Sequence, residues 1–388
     1  LEDANIRSIS AKIQHGTYKF SSARGVAVEK PNKPGSVRPI VIPRASDRVV
    51  QRCILDALIS DLAIQATAFH PRSFGGIPKR EGEKLAGVPA AISAVLEALS
   101  RGLTHVVVAD ISSFFSCIRK SDAINLIEKH SSDSKFNTLF RDAIKVDLEN
   151  HEKLWKYKNL FPYGDVGVGQ GMCLSPFLGN LVLSEFDQVM NDGDCVCIRY
   201  VDDIIIIAPS GKAASARYRK AKTLLGRLGM NFSDEKSSTK PIEATQPFEY
   251  LGIEFSNGLL RPSSKSRISI SRRAAEVAAK SLQSMRSAKQ IKDFSDEYSI
   301  PKTLNKISGM SRGWANHYRF CNDLETIKNV DRALSRIYTK YAKDAVDLAN
   351  LRMASSNVEL ATAFLGYKGL SGIEFSPLKW SIDRSANV

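Results

Sequence analysis

Apolar residues along this chain fall into two patterns, one suited to strands and one to helices. His105-Val106-Val107-Val108-Ala109, Cys195 to Tyr200 and Ile204 to Ala208 are short, nearly unbroken apolar runs rich in β-branched residues, which predicts buried strands, the first ending at Asp110. Apolar positions recur at helical spacing from Arg48 to Ile64, behind an expected N-cap at Ser46-Asp47, and again over 89–100 with Pro89 in the first turn. Further helices are expected over 212–228, stopping at Gly229, and over 272–286 and 324–346. Ser175-Pro176 predict a helix running toward Met190, with Ser at the cap and Pro at the first helical position. Prolines at 31, 34, 39 and 43 exclude a helix from 24 to 44, leaving two extended segments around a turn. Phe248 to Phe255 and Leu259-Leu260 predict a hairpin turning at Asn257-Gly258. The result is an α+β body to about residue 260, with a largely helical insertion at about 120–156 and a glycine-rich loop at 164–171, followed by an almost wholly helical part.

Charge adds a partner to this picture. The net charge is +14, and all of the excess lies in two segments: residues 1–50 hold 9 Lys and Arg against 4 acids, and residues 261–350 hold 18 against 9. Such a balance predicts a polyanion, whose counterions the cations displace. The six cysteines form no CxxC pair and the six histidines no cluster, so reduced core thiols are expected rather than zinc or disulfides. No apolar run approaches the ~20 residues of a membrane span, and the start lacks a signal-peptide pattern, which predicts a cytoplasmic protein with no membrane contact.

Carboxylates at strand ends supply the candidate chemistry. Asp202-Asp203 form a turn between two apolar runs, where adjacent anions are costly unless a cation neutralises them. Asp110 ends a third apolar run. A strand ending in Asp and a hairpin tipped by Asp-Asp suit a two-metal phosphoryl-transfer centre, with hard oxygen ligands for Mg²⁺ ions ~3.5–4 Å apart.

These segments, taken in order, resemble the reverse transcriptase family, and within it the bacterial group of intron maturases, retron enzymes and defence-associated enzymes. Arg38-Pro39-Ile40-Val41-Ile42-Pro43 with Asp47-Arg48-Val49-Val50-Gln51 resembles the first fingers motif, VVVADISSFFSCI motif A, GVGQGMCLSPFLGNLVL motif B, YVDD motif C and FEYLGIEF the primer-grip hairpin. The resemblance implies a right-hand polymerase fold, with 1–104 as fingers, 105–260 as palm including the primer grip at 248–260, and 261–388 as a basic helical thumb and C-terminal extension. It implies that Asp110, Asp202 and Asp203 hold the metals, with the Ile111 backbone beside them, and that Lys236 in motif D is a general acid toward pyrophosphate. Arg38 would clamp the triphosphate, helped by Lys30 or Lys33, with Phe115 as the steric gate and Gln170-Gly171 close to the nucleotide or template. Tyr250, Leu251 and Gly252 in the primer grip, and Arg312, Trp314, Tyr318 and Arg319 in RGWANHYRF, would meet nucleic acid, although the i, i+4 spacing of Trp314 and Tyr318 suits one ring to core packing.

The activity implied is RNA-directed DNA polymerisation from dNTPs, with Mg²⁺ as the metal and Mn²⁺ able to substitute. The expected partners are a structured RNA template, in particular a dedicated non-coding RNA, the RNA–DNA duplex product, and a second copy or a partner protein. Val168 and Gly169 before Gln170, where retron and intron enzymes more often show proline, and Val201 in YVDD, in place of the commoner alanine, favour the antiphage defence group. The competing readings are an intron maturase and a template-independent or protein-primed polymerase.

Overall fold

From its N-terminus the chain forms helix α1 (Asp3–Gln14), a hairpin of β1 (Arg24–Lys30) and β2 (Lys33–Ile42), and helices α2 (Ala45–Ser60), α3 (Leu62–Ala68) and α4 (Gly87–Ser100). Strand β3 (His105–Asp110) leads through the one-turn helix α5 (Phe114–Cys117) into α6 (Lys120–His130), α7 (Ser134–Ala143) and a 3-10 segment at His151–Leu160. Helices α8 (Ser175–Val182) and α9 (Ser184–Met190) precede β4 (Val196–Tyr200), β5 (Asp203–Ala208), α10 (Gly211–Arg227), β6 (Ile242–Glu243) and β7 (Phe248–Tyr250). The computed structural model describes residues 3–30, 33–79, 82–234, 237, 240–367 and 369, and the chain divides into two units, 1–251 and 252–388. The second unit holds β8 (Ile253–Ser256), β9 (Leu259–Pro262), α11 (Ser264–Ser287), α12 (Ile300–His317), α13 (Leu324–Ala354) and α14 (Val358–Phe364).

In the first unit an antiparallel sheet of order β4-β5-β3-β6 carries the apolar runs. Ile204 to Ile207 are all fully buried, as a strand covered on both faces requires, and α10 packs on β3 and β5 while α4 packs on β4. Burying each such side chain stabilises the fold by roughly 1.5–3 kcal/mol.

The β1–β2 hairpin has two different faces. On one, Ala27 and Val41 pack against Ala23, Val146, Leu148, Leu154, Phe161 and Met172, so the helical insertion supports the hairpin. Gly25 makes this approach possible, since a Cβ there would stand 2.5 Å from Leu154 Cδ1 and 2.8 Å from Leu148 Cδ1. On the alternate positions lie Arg38 and its cross-strand partner Val28, both exposed.

Several expectations are corrected. Helix α2 begins at Ala45 without a side-chain cap, and Asp47 is buried in its first turn, accepting from the Tyr18 hydroxyl at 2.6 Å and the Ser21 N–H at 3.1 Å. These tertiary donors replace the helix N–H groups a capping Asp would serve. The helix expected to reach Ile64 breaks at Asp61, which caps α3 by accepting from Ala63 and Ile64. Ser175 is not a cap either: its hydroxyl donates to Gly169 O at 2.7 Å, tying the glycine-rich loop to α8. The helix expected to run to Met190 is interrupted at Leu183, between α8 and α9.

In the second unit, Asn257 (φ 49°) and Gly258 (φ 77°) turn β8 into β9, with Ser256 opposite Leu259. The helices expected at 272–286 and 324–346 lie within α11 and α13, and these pack with α12 and α14 around Ile270, Leu282, Met285, Ile307, Leu334 and Phe364.

Candidate active site

Strand pairing brings the three aspartates together. Asp110, the last residue of β3, is the register partner of Asp203, the first of β5, and the Ile111 N–H donates to Asp202 O at 2.9 Å. Opposed residues of an antiparallel pair have Cβ atoms ~4.5–5.5 Å apart on one face. A second connection holds β3 from its other side: Ser233 N–H donates to Asp110 O at 2.8 Å, Asp110 N–H to Ser237 Oγ at 3.2 Å, and Ser112 N–H to Asn231 O at 2.8 Å. Asp110 is buried, whereas Asp202 and Asp203 are half-buried. Burial and then the Asp203 charge push the phenol pKa values of Tyr200 and Tyr250 upward.

The two-residue turn between β4 and β5 stores strain. Val201 has φ 60°, a left-handed conformation that β-branched residues rarely adopt, at a cost of roughly 1–3 kcal/mol. Its surroundings hold it there. Arg199 Nη1 donates to Val201 O at 3.1 Å, and Gly75 lies so close that a Cβ would stand 2.5 Å from both Val201 N and Val201 Cγ2. Asn180 of α8 donates to Gly75 O at 3.0 Å, and the loop pairs with β4 through Phe74 N to Arg199 O at 3.0 Å and Arg199 N to Arg72 O at 2.9 Å.

Beneath the turn are two side chains with different tasks. Arg199, with 0% exposure, grips Asp187 of α9 through Nε to Oδ1 at 2.8 Å and Nη2 to Oδ2 at 2.5 Å. Burial opposes its charge, but Asp187 overrides that and holds the guanidinium pKa above its ordinary value. Tyr250 is also buried, and its hydroxyl donates to Ile198 O at 3.3 Å and Asp203 O at 3.4 Å. This corrects the expectation that the Tyr250 side chain meets nucleic acid: a ring enclosed under the turn supports the protein instead.

The residues expected at the nucleotide come together on the other flank. Ser113 (φ 50°) turns the chain after β3 so that Phe114 is buried against Gly179, whose added Cβ would stand 2.6 Å from Phe114 Cζ, while Phe115 is half-buried. Val168 N–H donates to Phe115 O at 2.8 Å, which ties the next loop to motif A. That loop joins β2, as Val41 N–H donates to Gln170 O at 2.7 Å. Gly171 (φ 101°) permits the approach, since a Cβ would stand 2.9 Å from Val41 O. Arg38 lies three residues earlier on β2, exposed, and Lys30 is half-buried at the end of β1. The Lys33 side chain and Lys236 lie outside the described residues.

Within the second unit, Trp314 Nε1 and the Tyr318 hydroxyl both donate to Ser266 Oγ, at 2.9 and 2.8 Å, with their rings 5.0 Å apart. Tyr318 is buried and Trp314 half-buried, so both rings take part in packing, while Arg312 and Arg319 are exposed. A cavity of about 380 Å³ beside them is lined by Ser269, Arg273, Gly313 and His317 among others. Leu251 (φ 51°) and Gly252 (φ 74°) form a left-handed pair, and a Cβ on Gly252 would be 3.5 Å from the Tyr318 hydroxyl.

Arg199, Asp187, Asn180 and Gly75 went unnoticed in the sequence. A charged residue within an apolar strand was the available signal for Arg199, because a buried guanidinium needs a buried acid.

Among the described residues no group of three His, Cys, Asp or Glu side chains forms a cage for a metal, and no helix is long and apolar enough to cross a membrane. The donor set nevertheless fits Mg²⁺, which takes one or two carboxylates plus substrate phosphates rather than an all-protein cage.

Residues 28–255 match the family model of the reverse transcriptase (RNA-dependent DNA polymerase). The chain is 34% identical over 181 residues to Protein YkfC of Escherichia coli (strain K12), covering 46% of this chain and 43% of that protein. It is 25% identical over 190 residues to the uncharacterized 91 kDa protein in cob intron of Schizosaccharomyces pombe, covering 48% of this chain and 21% of that one. The matched segments thus span less than half of either relative. Apo telomerase from Candida tropicalis, truncated from its C-terminal domain, superposes with a TM-score of 0.43 at 13% identity, over 67% of this chain and 60% of that one. The chain belongs to the reverse transcriptase family, whose members use divalent metal ions, and its fold is the α+β right-hand polymerase fold.

Proposed function

We propose that this chain synthesises DNA on an RNA template by two-metal phosphoryl transfer at Asp110, Asp202 and Asp203. The observation that carries this reading is the pairing of Asp110 with Asp203 while Ile111 N–H donates to Asp202 O, which sets side by side the backbones of residues 92 and 93 positions apart in sequence. Bound at these oxygens, with the Ile111 carbonyl beside them, Mg²⁺ would lower the pKa of the attacking 3′-hydroxyl and neutralise the leaving pyrophosphate. The protein's own part is positional. Arg38 presents a planar guanidinium to the triphosphate, the Gln170-Gly171 backbone allows close approach of a nucleotide, and the Phe115 ring occupies the space a ribose 2′-hydroxyl would need. Lys236 delivers a proton to pyrophosphate.

The template on this reading is a structured RNA, and the basic segments at 1–50 and 261–350 are each suited to the phosphate backbone of the template or of the RNA–DNA product. The residues before Gln170 and Val201 in the YVDD turn support placing it among antiphage defence enzymes that use a dedicated non-coding RNA. Primer extension on an RNA template tests the chemistry. Asp202→Ala is expected to abolish synthesis and leave RNA affinity intact; synthesis equal to that of the unmodified protein would refute the assignment. Sequencing the nucleic acid that co-purifies with the protein tests the template, and a heterogeneous pool of cellular RNA would count against a dedicated one.

A further inference from the structure

Arg199 makes a connection that an ordinary core ion pair does not. Two of its nitrogens hold Asp187, and the third reaches past that pair to the carbonyl of Val201, the strained residue immediately before Asp202. Asp187 is itself anchored: Asn191, at the end of α9, donates to Asp187 O at 2.8 Å and clips β4 by donating to Cys197 O at 3.0 Å and accepting from Cys197 N–H at 2.9 Å. The path from α9 to the turn therefore runs through the buried side chains of Asp187 and Arg199. A buried ion pair of this kind gains little stability over apolar side chains of the same volume, so stability alone does not explain it. A planar fork with fixed donor directions suits the setting of a carbonyl position, which a lysine ammonium cannot reproduce.

Resting on the two-metal reading above, we infer that Arg199 and Asp187 are positioning residues that fix the Val201-Asp202 turn so that Asp202 and Asp203 stand beside Asp110 for metal binding. Tyr250 works from a second contact, holding the carbonyls of Ile198 and Asp203. Misplacing a reacting group by about 1 Å can cost about 100-fold in rate, which sets the scale expected here.

The test reads metal binding directly. Mn²⁺ is titrated into the full chain, with a dNTP and a primer lacking its 3′-hydroxyl on an RNA template, and followed by electron paramagnetic resonance. Arg199→Lys is expected to weaken Mn²⁺ affinity about tenfold and lower kcat up to about 100-fold, with RNA affinity and the KM for dNTP within about twofold. Leu225→Ala, in the fully buried face of α10, lowers the melting temperature without altering Mn²⁺ affinity. Tyr250→Phe keeps the ring and removes only the hydroxyl, so it gives a smaller loss in the same direction and decides the matter if Arg199→Lys does not fold. Unchanged Mn²⁺ affinity in folded Arg199→Lys, or in Tyr250→Phe where that protein does not fold, overturns the inference, and so does an equal loss in Leu225→Ala. Should Asp202→Ala still polymerise, the two-metal reading itself fails; a dead Asp202→Ala beside an Arg199→Lys that binds Mn²⁺ normally removes only the positioning role.

Discussion

Two arginines on two strands of the first unit have opposite circumstances. Arg199 on β4 has no exposed surface, and its guanidinium makes three hydrogen bonds, two to Asp187 and one to Val201 O. Arg38 on β2 is exposed, and its side chain makes no hydrogen bond or ion pair with the described residues. On the proposed function the difference separates a group that holds the protein from one that meets a ligand: each guanidinium nitrogen of Arg199 donates within the fold, whereas the Arg38 fork is exposed and would be available to an anion. The carboxylate edge of the site is correspondingly fixed by strand register, whereas the glycine loop meets β2 through an isolated bridge at Ile40 and Gln170 that includes the bond from Val41 N–H to Gln170 O.

Asp187→Asn is the strongest way to break this contrast, because it leaves a buried guanidinium without its counter-charge. A loss of roughly 3–5 kcal/mol in unfolding free energy is expected, measured by denaturant titration. Gly75→Ala follows, since its Cβ must displace Val201 N and Val201 Cγ2 from 2.5 Å; a loss of about 1–3 kcal/mol is expected, with reduced synthesis because the same turn carries Asp202. Arg38→Ala should do the reverse, raising the KM for dNTP about tenfold while unfolding free energy changes by no more than about 0.5 kcal/mol. A destabilised Arg38→Ala with normal KM would erase the distinction between the two arginines. Ser266→Ala gives the smallest effect, about 1 kcal/mol, because it removes the shared acceptor of Trp314 and Tyr318 in the second unit.

How much could be read in advance depended on whether the cause was local. The runs VVVA and IIIIA predicted strands because a continuous β-branched run has few other solutions, and Asn257-Gly258 announced its own turn. The carboxylates were legible for the same reason: they end those runs. Asp47 was misread because its partners, Tyr18 and Ser21, lie outside the helix it begins, and a capping pattern carries no information about them. Ser175 was misread likewise, its hydroxyl being used by Gly169 O. Tyr250 was expected to meet nucleic acid because FEYLGIEF resembles the primer grip, yet its position beneath Asp203 follows from how β7 lies against the turn, which no spacing encodes. Arg199 and Asp187 are 12 residues apart on different elements, and only the packing of α9 on β4 reveals the pair.

On the proposed function, Asp110 and the Asp202-Asp203 turn bind metal together. Replacing Mg²⁺ with Fe²⁺ and generating hydroxyl radicals at the bound ion would cut the backbone wherever that ion sits. Cleavage is expected in the same molecules near both residue 110 and residues 202–203, suppressed by excess Mg²⁺. Cleavage at only one of these segments, or at neither, would contradict that reading.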